Sequence, residues 1–320
     1  MNFELVVMYL GFMMAAYSVV GNDTIQTLGT FLSSNEEKKW WVLWLFTGGI
    51  LATTLIYGYI SYGGDVSYGR LVKYPMPEPF AWYYLLPPVV LMLLTKTGIP
   101  VSTSFLILTF FNEKNLSDMI IKSISGYMVA FTAAVFLYFV ITKLLEKRFI
   151  ENPITDKETK IWTVLQWFST GFLWSQWLIQ DFANIYVYLP RELDLGSMVF
   201  SLVVILGLLA YIISSKGGAI QNIIKSKTNT VDIRSATIID FIYGIVLFYF
   251  KELNNVPMST TWVFIGILAG REIAINFVLK RKETRTQMFK SLGMDLLKVF
   301  LGLGVSIILV FAVKYLATSI

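Results

Sequence analysis

Apolar runs of about 20 residues recur from one end of this chain to the other, separated by short polar or Gly/Pro-rich links. A helix of about 20 apolar residues matches the ~30 Å hydrocarbon core of a bilayer. Inside that core each backbone N–H and C=O needs a partner within the protein, and a helix supplies it from its own chain. The fold class that follows is an all-α polytopic membrane protein. Composition agrees. Of 320 residues, 56% are hydrophobic and 15% charged, with mean hydropathy +0.64, whereas a soluble domain carries about 25% charged residues.

Absent residue types exclude whole chemistries. There is no Cys, so disulfides, thiolate metal sites, Fe–S clusters and thiol catalysis are excluded. There is no His, which removes the usual general base and zinc ligand. No nucleophile–base motif is visible either, so an enzyme is not expected. The start, Met1-Asn-Phe-Glu-Leu, lacks a basic n-region and a small-residue cleavage site, so the first helix is expected to stay in the protein.

The pattern predicts a first span over 3–20 that breaks at Gly21-Asn22-Asp23, then a span over 40–60. A Gly/Pro-rich loop over 61–79 leads to two short apolar pieces within 80–111. Neither piece is long enough to cross, so together they read as a re-entrant helical hairpin. A long span over 116–145 follows. The second half repeats the order: a span over 161–178 with a break at Gln180-Asp181, a span over 196–214, a basic loop, a hairpin over 237–270 and a span over 289–317.

The hairpin tips are near copies, Gly98-Ile-Pro-Val-Ser-Thr-Ser104 and Asn255-Val-Pro-Met-Ser-Thr-Thr261. Asp23 lies 158 residues before Asp181, and Pro100 lies 157 before Pro257. Asp23 to Ser102 is 79 residues, and Asp181 to Ser259 is 78. This register predicts two repeats, residues 1–145 and 161–320, joined by a cytoplasmic linker at 146–160. Three crossings and one hairpin per repeat make the two topologies inverted, as in many secondary transporters. Counting Lys and Arg by side gives seventeen on the side opposite the N-terminus, six on the N-terminal side and three within membrane segments. The positive-inside rule then places both termini outside. The expected location is a plasma membrane, the inner one in a Gram-negative cell. Topology therefore accounts for the net charge of +5, and nucleic acid is not an expected partner.

The motifs suggest their own chemistry. Pro starts a helix well, and Ser or Thr after it caps one. A helix start with free N–H groups is a ready anion site. Ser102, Thr103, Ser104, Ser259, Thr260 and Thr261 are thus the candidate substrate-binding residues. A carboxylate in mid-membrane is costly and by default functional. Asp23 and Asp181, with the neighbouring amide and hydroxyl oxygens, form a set suited to a hard cation such as Na⁺. Asp23 alone could be a helix cap, and either tip alone could be ordinary small-residue packing. The paired register argues against both.

These breaks and tips resemble the inorganic phosphate transporter (PiT) family. Gly21–Thr30 resembles its Gly-Ala-Asn-Asp-type motif, and Ile99–Phe105 its Pro-Val-Ser-Thr-Thr-His-type motif. Gln180–Asn184 and Val256–Trp262 resemble the second copies. The resemblance implies cation-coupled uptake of inorganic phosphate. It gives Asn22, Asp23, Gln180, Asp181 and Asn184 to the coupling cations and Ser102, Thr103, Ser259 and Thr260 to the anion. Phe105 and Trp262 stand where the family has His, Gln26 and Gln180 replace Asn, and the second break lacks the Gly. Sulfate competes with phosphate in this reading, and H⁺ with Na⁺ as coupling ion. An anion channel or a membrane scaffold is the rival class, and a homo-oligomer is compatible with the layout.

Lys96 and Lys251, four and six residues before the tip prolines, can add a cation near the anion or snorkel. Asp240, Asp295 and Lys298 are expected at the cytoplasmic interface. Aromatic residues such as Trp40, Trp41, Trp82, Tyr83 and Tyr84 are expected as interface anchors.

Overall fold

The computed structural model describes residues 3–96, 102–141, 149, 151–215, 232–253, 259–278 and 285–318. The prolines of both tips, Pro100 and Pro257, lie outside the described residues, as do the Lys96 side chain and most of the basic loop before residue 232. Among the described residues the regular structure is helical.

In the first half, α1 spans Phe3–Ser34, α2 Trp40–Ser61, α3 Leu86–Lys96, α4 Thr103–Phe111 and α5 Leu116–Ile141. In the second, α6 spans Asp156–Tyr186, α7 Leu195–Ser214, α8 Ile233–Leu253, α9 Thr260–Val278 and α10 Arg285–Thr318. Among the described residues seven segments are long and apolar enough to cross a membrane, in α1, α2, α5, α7, α8, α9 and α10. α6 is not among them because Gln166, Gln176, Gln180, Asp181 and Asn184 punctuate it. Those side chains are buried, so α6 runs through the interior. Lipid-facing positions carry exposed apolar residues, among them Ile60, Phe136, Phe168, Val203 and Phe311. This is a multi-pass membrane protein.

Two expectations need correction. The predicted breaks at Gly21-Asn22-Asp23 and Gln180-Asp181 do not occur, since α1 and α6 are continuous helices through both. One Gly inside a helix costs only about 1 kcal/mol against Ala. The Asn and Asp side chains bond among themselves and to neighbouring helices, so they do not compete for their own backbone. The helical pair in the second half also outgrows the predicted 237–270. α8 has 21 residues and α9 has 19, whereas α3 and α4 have 11 and 9.

Packing runs across the halves. α1 lies on α6, α2 on α7, α5 on α9 and α4 on α10. Trp44 of α2 donates its indole N–H to Leu206 O of α7 at 3.0 Å. The closest approach is between α5 and α9. A Cβ on Gly266 would sit 2.8 Å from Tyr127 O, and one on Gly270 would sit 2.6 Å from Phe131 O. The four-residue spacing of these glycines is the small-xxx-small pattern that lets membrane helices touch backbone to backbone. Trp174 and Trp177 stack in the interior at 4.8 Å, while Trp40, Trp41 and Trp82 are exposed at 46–52%.

Candidate functional site

The site forms where the starts of α4 and α9 meet the later halves of α1 and α6. Ser102 caps α4, its Oγ accepting Phe105 N–H at 3.3 Å. Ser259 caps α9 in the same way, accepting Trp262 N–H at 3.3 Å. Both caps are three residues before the N–H they bind, which is the geometry a Ser N-cap requires. The Ser259 N–H is in turn held by Ser123 Oγ of α5 at 3.0 Å.

The next residue in each tip reaches an acid. Thr103 donates its hydroxyl to Asp23 Oδ2 at 2.7 Å. Thr260 donates to Asp181 Oδ2 at 2.9 Å. Asn22 donates to Asp23 Oδ1 at 2.6 Å and Asn184 to Asp181 Oδ1 at 2.7 Å. The Asn184 amide also donates to Thr103 Oγ1 at 3.0 Å. Asn184 and Thr103 therefore chain the two carboxylates together. Ser104 Oγ lies 3.4 Å from Asp181 Oδ1. Ser102, Thr103, Ser104, Ser259, Thr260, Thr261, Asn22, Asp23, Gln180, Asp181 and Asn184 are all buried. The hydrogen bonds join Asn22, Asp23, Thr103, Ser104, Asp181, Asn184 and Thr260, with the Ser102 and Ser259 caps beside them. Thr261 is buried in the first turn of α9, and Gln180 turns its amide to Leu247 O at 3.2 Å.

The electrostatics point to a cation. Asp23 and Asp181 lie within each other's field. Asn184 Oδ1 and Gln180 Oε1 are buried acceptors without a hydrogen-bond donor. Two carboxylates and spare amide oxygens in a dry interior want positive charge, and oxygen donors of this kind suit a hard cation. Where the resembled family has His, the Phe105 and Trp262 rings meet with centroids 5.6 Å apart.

Several polar residues of the interior escaped the sequence pattern. Asp240, expected at an interface, is 1% exposed. It accepts the Thr30 hydroxyl, and the Thr170 hydroxyl at 2.6 Å. Its place on α8 faces α1 and α6, which draws it inward. Asp295 is likewise buried, at 8%. A signal existed. Thr30 lies seven residues after Asp23 and Thr170 eleven before Asp181, spacings that put each on the same helix stripe as its acid. Arg70 is buried at 2% beyond the Gly63–Gly69 turns, where nothing in sequence marks it as internal.

No family model matches the chain, and no curated protein matches it. A solved structure of a sodium-dependent phosphate transporter superposes with a TM-score of 0.57, covering 98% of this chain and 100% of that one, at 15% identity. The chain has the fold of that transporter.

Proposed function

We propose that this protein is a secondary active transporter that carries inorganic phosphate across a membrane, coupled to Na⁺, by alternating access. The observation that carries it is the double Thr–Asp junction, Thr103 with Asp23 and Thr260 with Asp181, at two buried helix starts. The shared fold with a sodium-dependent phosphate transporter supports the same reading. Inverted repeats are supported by the contact pattern. Equivalent helices pair, α1 with α6 and α2 with α7, and α5 on α9 is matched by α4 on α10. In this reading α3–α4 and α8–α9 are the paired hairpins, and both termini lie outside a plasma membrane.

The hydrogen bonds divide the work. The Thr103 and Thr260 hydroxyls give their hydrogens to carboxylates, so they offer a ligand only lone pairs. With Asn22, Asp23, Gln180, Asp181 and Asn184 they suit the coupling cation. Ser102 and Ser259 accept from the helix and retain a hydrogen to give. With Thr261 and the first-turn N–H groups of α4 and α9 they suit a tetrahedral oxyanion, and Ser104, whose hydroxyl points at Asp181 Oδ1 at 3.4 Å, borders both groups. Bound Na⁺ neutralises the acids beside the anion, and this is the source of coupling. Uptake of labelled phosphate into proteoliposomes, with and without an inward Na⁺ gradient and with sulfate as competitor, tests it. Gradient-driven uptake that Asp23→Asn abolishes is expected. Uptake indifferent to the gradient, or equal in Asp23→Asn and wild type, overturns it.

A further inference from the structure

A cavity of about 490 Å³ opens at the end of the bundle where α2 finishes. Thr54 and Tyr57 of α2, Tyr62, Tyr68 and Arg70 of the following turns, and Lys251 of α8 form its wall. Ile179 of α6, two residues before Asp181, also lines it. No role in the coupling site accounts for this space.

Its wall is built with care. Tyr68 holds a left-handed backbone, φ 58°, which a non-glycine residue adopts only when its surroundings enforce it. Its hydroxyl donates to Thr54 O at 2.6 Å. Its ring packs on Tyr62 at 5.1 Å and covers Gly58, where a Cβ would come within 2.9 Å. Two residues later Arg70 turns inward. Its charge reaches Asp181 and is felt by Lys122 together with Lys73. Lys251, over the Phe248 ring at 5.6 Å, adds a second cation to the wall. Two cations on a low-dielectric, aromatic wall focus anions. Arg adds planar donors matched to oxyanion geometry.

We propose that this cavity is a capture site for a tetrahedral oxyanion, which Arg70 and Lys251 hold before it moves past Ile179 to the helix starts of α4 and α9. The inference rests on the transport reading for its second step and on the cavity alone for its first. Arg70 sets the inner limit of the site, and its charge, felt at Asp181, hands the anion on once Na⁺ occupies the acids.

The test uses the full chain in phosphatidylcholine nanodiscs for binding and in proteoliposomes for uptake, with labelled inorganic phosphate as probe. Asp181→Asn disables the coupling site and is expected to leave weak phosphate binding. Adding Arg70→Gln or Lys251→Gln to Asp181→Asn is expected to remove that binding. In the otherwise native chain, Lys251→Gln lowers kcat/KM for uptake by about tenfold at low ionic strength for a lost steering charge, while Arg70→Lys keeps the charge, loses the planar donors and lowers kcat/KM less. The loss shrinks as salt rises. Melting curves identify any Arg70 variant that fails to fold, and Lys251→Gln, at a less buried position, carries the test in that case. Binding to Asp181→Asn that survives both substitutions, or a loss confined to the maximal rate, overturns the capture site even if Na⁺-driven uptake holds. Arg70-dependent binding without any uptake in wild type supports the capture site and sinks the transport reading. Binding that phosphatidylglycerol nanodiscs abolish makes this a lipid-headgroup site and overturns capture of free oxyanion.

Discussion

Thr103 donates its hydroxyl to Asp23 at 2.7 Å across 80 positions of sequence, and Thr260 repeats the bond to Asp181 at 2.9 Å across 79. One residue of the tip thus bonds the acid of its own half, twice. The junction fixes each helix start against the later half of a long helix. Any movement of α4 or α9 must break a charge-assisted bond or carry the acid along.

Thr103→Ala and Thr260→Ala should each weaken the Na⁺ dependence of uptake. Loss of one donor to a buried carboxylate costs about 1–3 kcal/mol, or about 5- to 150-fold in the half-saturating Na⁺ concentration. Thr103→Ser keeps the hydroxyl and should stay close to wild type. Na⁺ titrations of phosphate uptake read both. A Thr103→Ala protein with an unchanged Na⁺ titration would remove the junction from the coupling site.

Phe105 is fully buried against Trp262. Truncating a buried Phe to Ala costs about 3–5 kcal/mol through lost burial and the cavity it leaves. Phe105→Ala should therefore lower the melting temperature in detergent strongly, and Phe105→Leu much less. Equal melting of the two variants would mean that the ring contact between the tips does not hold them.

How much of this was legible in sequence depends on what carried the signal. Apolar length gave the spans, and the Asp-to-Ser register paired each tip with the right acid, because those features repeat. Gly21-Asn22-Asp23 and Gln180-Asp181 read as breaks, yet α1 and α6 run on, because the polar side chains find partners on other helices. Such partners are invisible in one segment. Asp240 read as interfacial because depth was judged from its distance to the segment end. Its helix extends to Ile233 and presents it to Thr30 and Thr170. Arg70 sits in a loop, and only the folded path of that loop takes it inside.

Gly270→Ala should destabilise the α5–α9 contact, since its Cβ would fall 2.6 Å from Phe131 O, a backbone atom that cannot step aside. Overpacking of this kind costs about 1–3 kcal/mol. Gly293→Ala on α10, with open space around it, is the control, and should be neutral or gain a few tenths of a kcal/mol up to about 1. Thermal unfolding of the two variants side by side separates them.

Asp194 caps α7, accepting Ser197 Oγ–H at 2.6 Å and Ser197 N–H at 3.0 Å. The Ser197 hydroxyl, then its backbone N–H, hold this carboxyl below its ordinary range. A depressed carboxyl adds stability above its unfolded pKa of about 3.9, and that stability is lost as pH falls through the folded value. Asp194→Ala should lower the melting temperature at pH 7 and flatten its decline below pH 4. A parallel shift at both pH values would show that the cap's charge contributes nothing.

Asp240 joins three helices through two hydroxyls, Thr30 of α1 and Thr170 of α6. Asp240→Ala leaves both hydroxyls without their acceptor in a buried setting, at about 1–3 kcal/mol each. Asp240→Asn keeps one carbonyl oxygen that can accept both, so it should cost clearly less. Thr30→Ala or Thr170→Ala alone leaves the carboxylate one donor and should fall between them. A double-mutant cycle of Thr30 with Asp240 should then give a coupling of about 0.5–3 kcal/mol, the range for residues in one network. Unfolding in detergent measures the four single variants and the Thr30→Ala/Asp240→Ala double variant. Additive losses, with no coupling between Thr30 and Asp240, would mean that α1 and α8 are held together elsewhere.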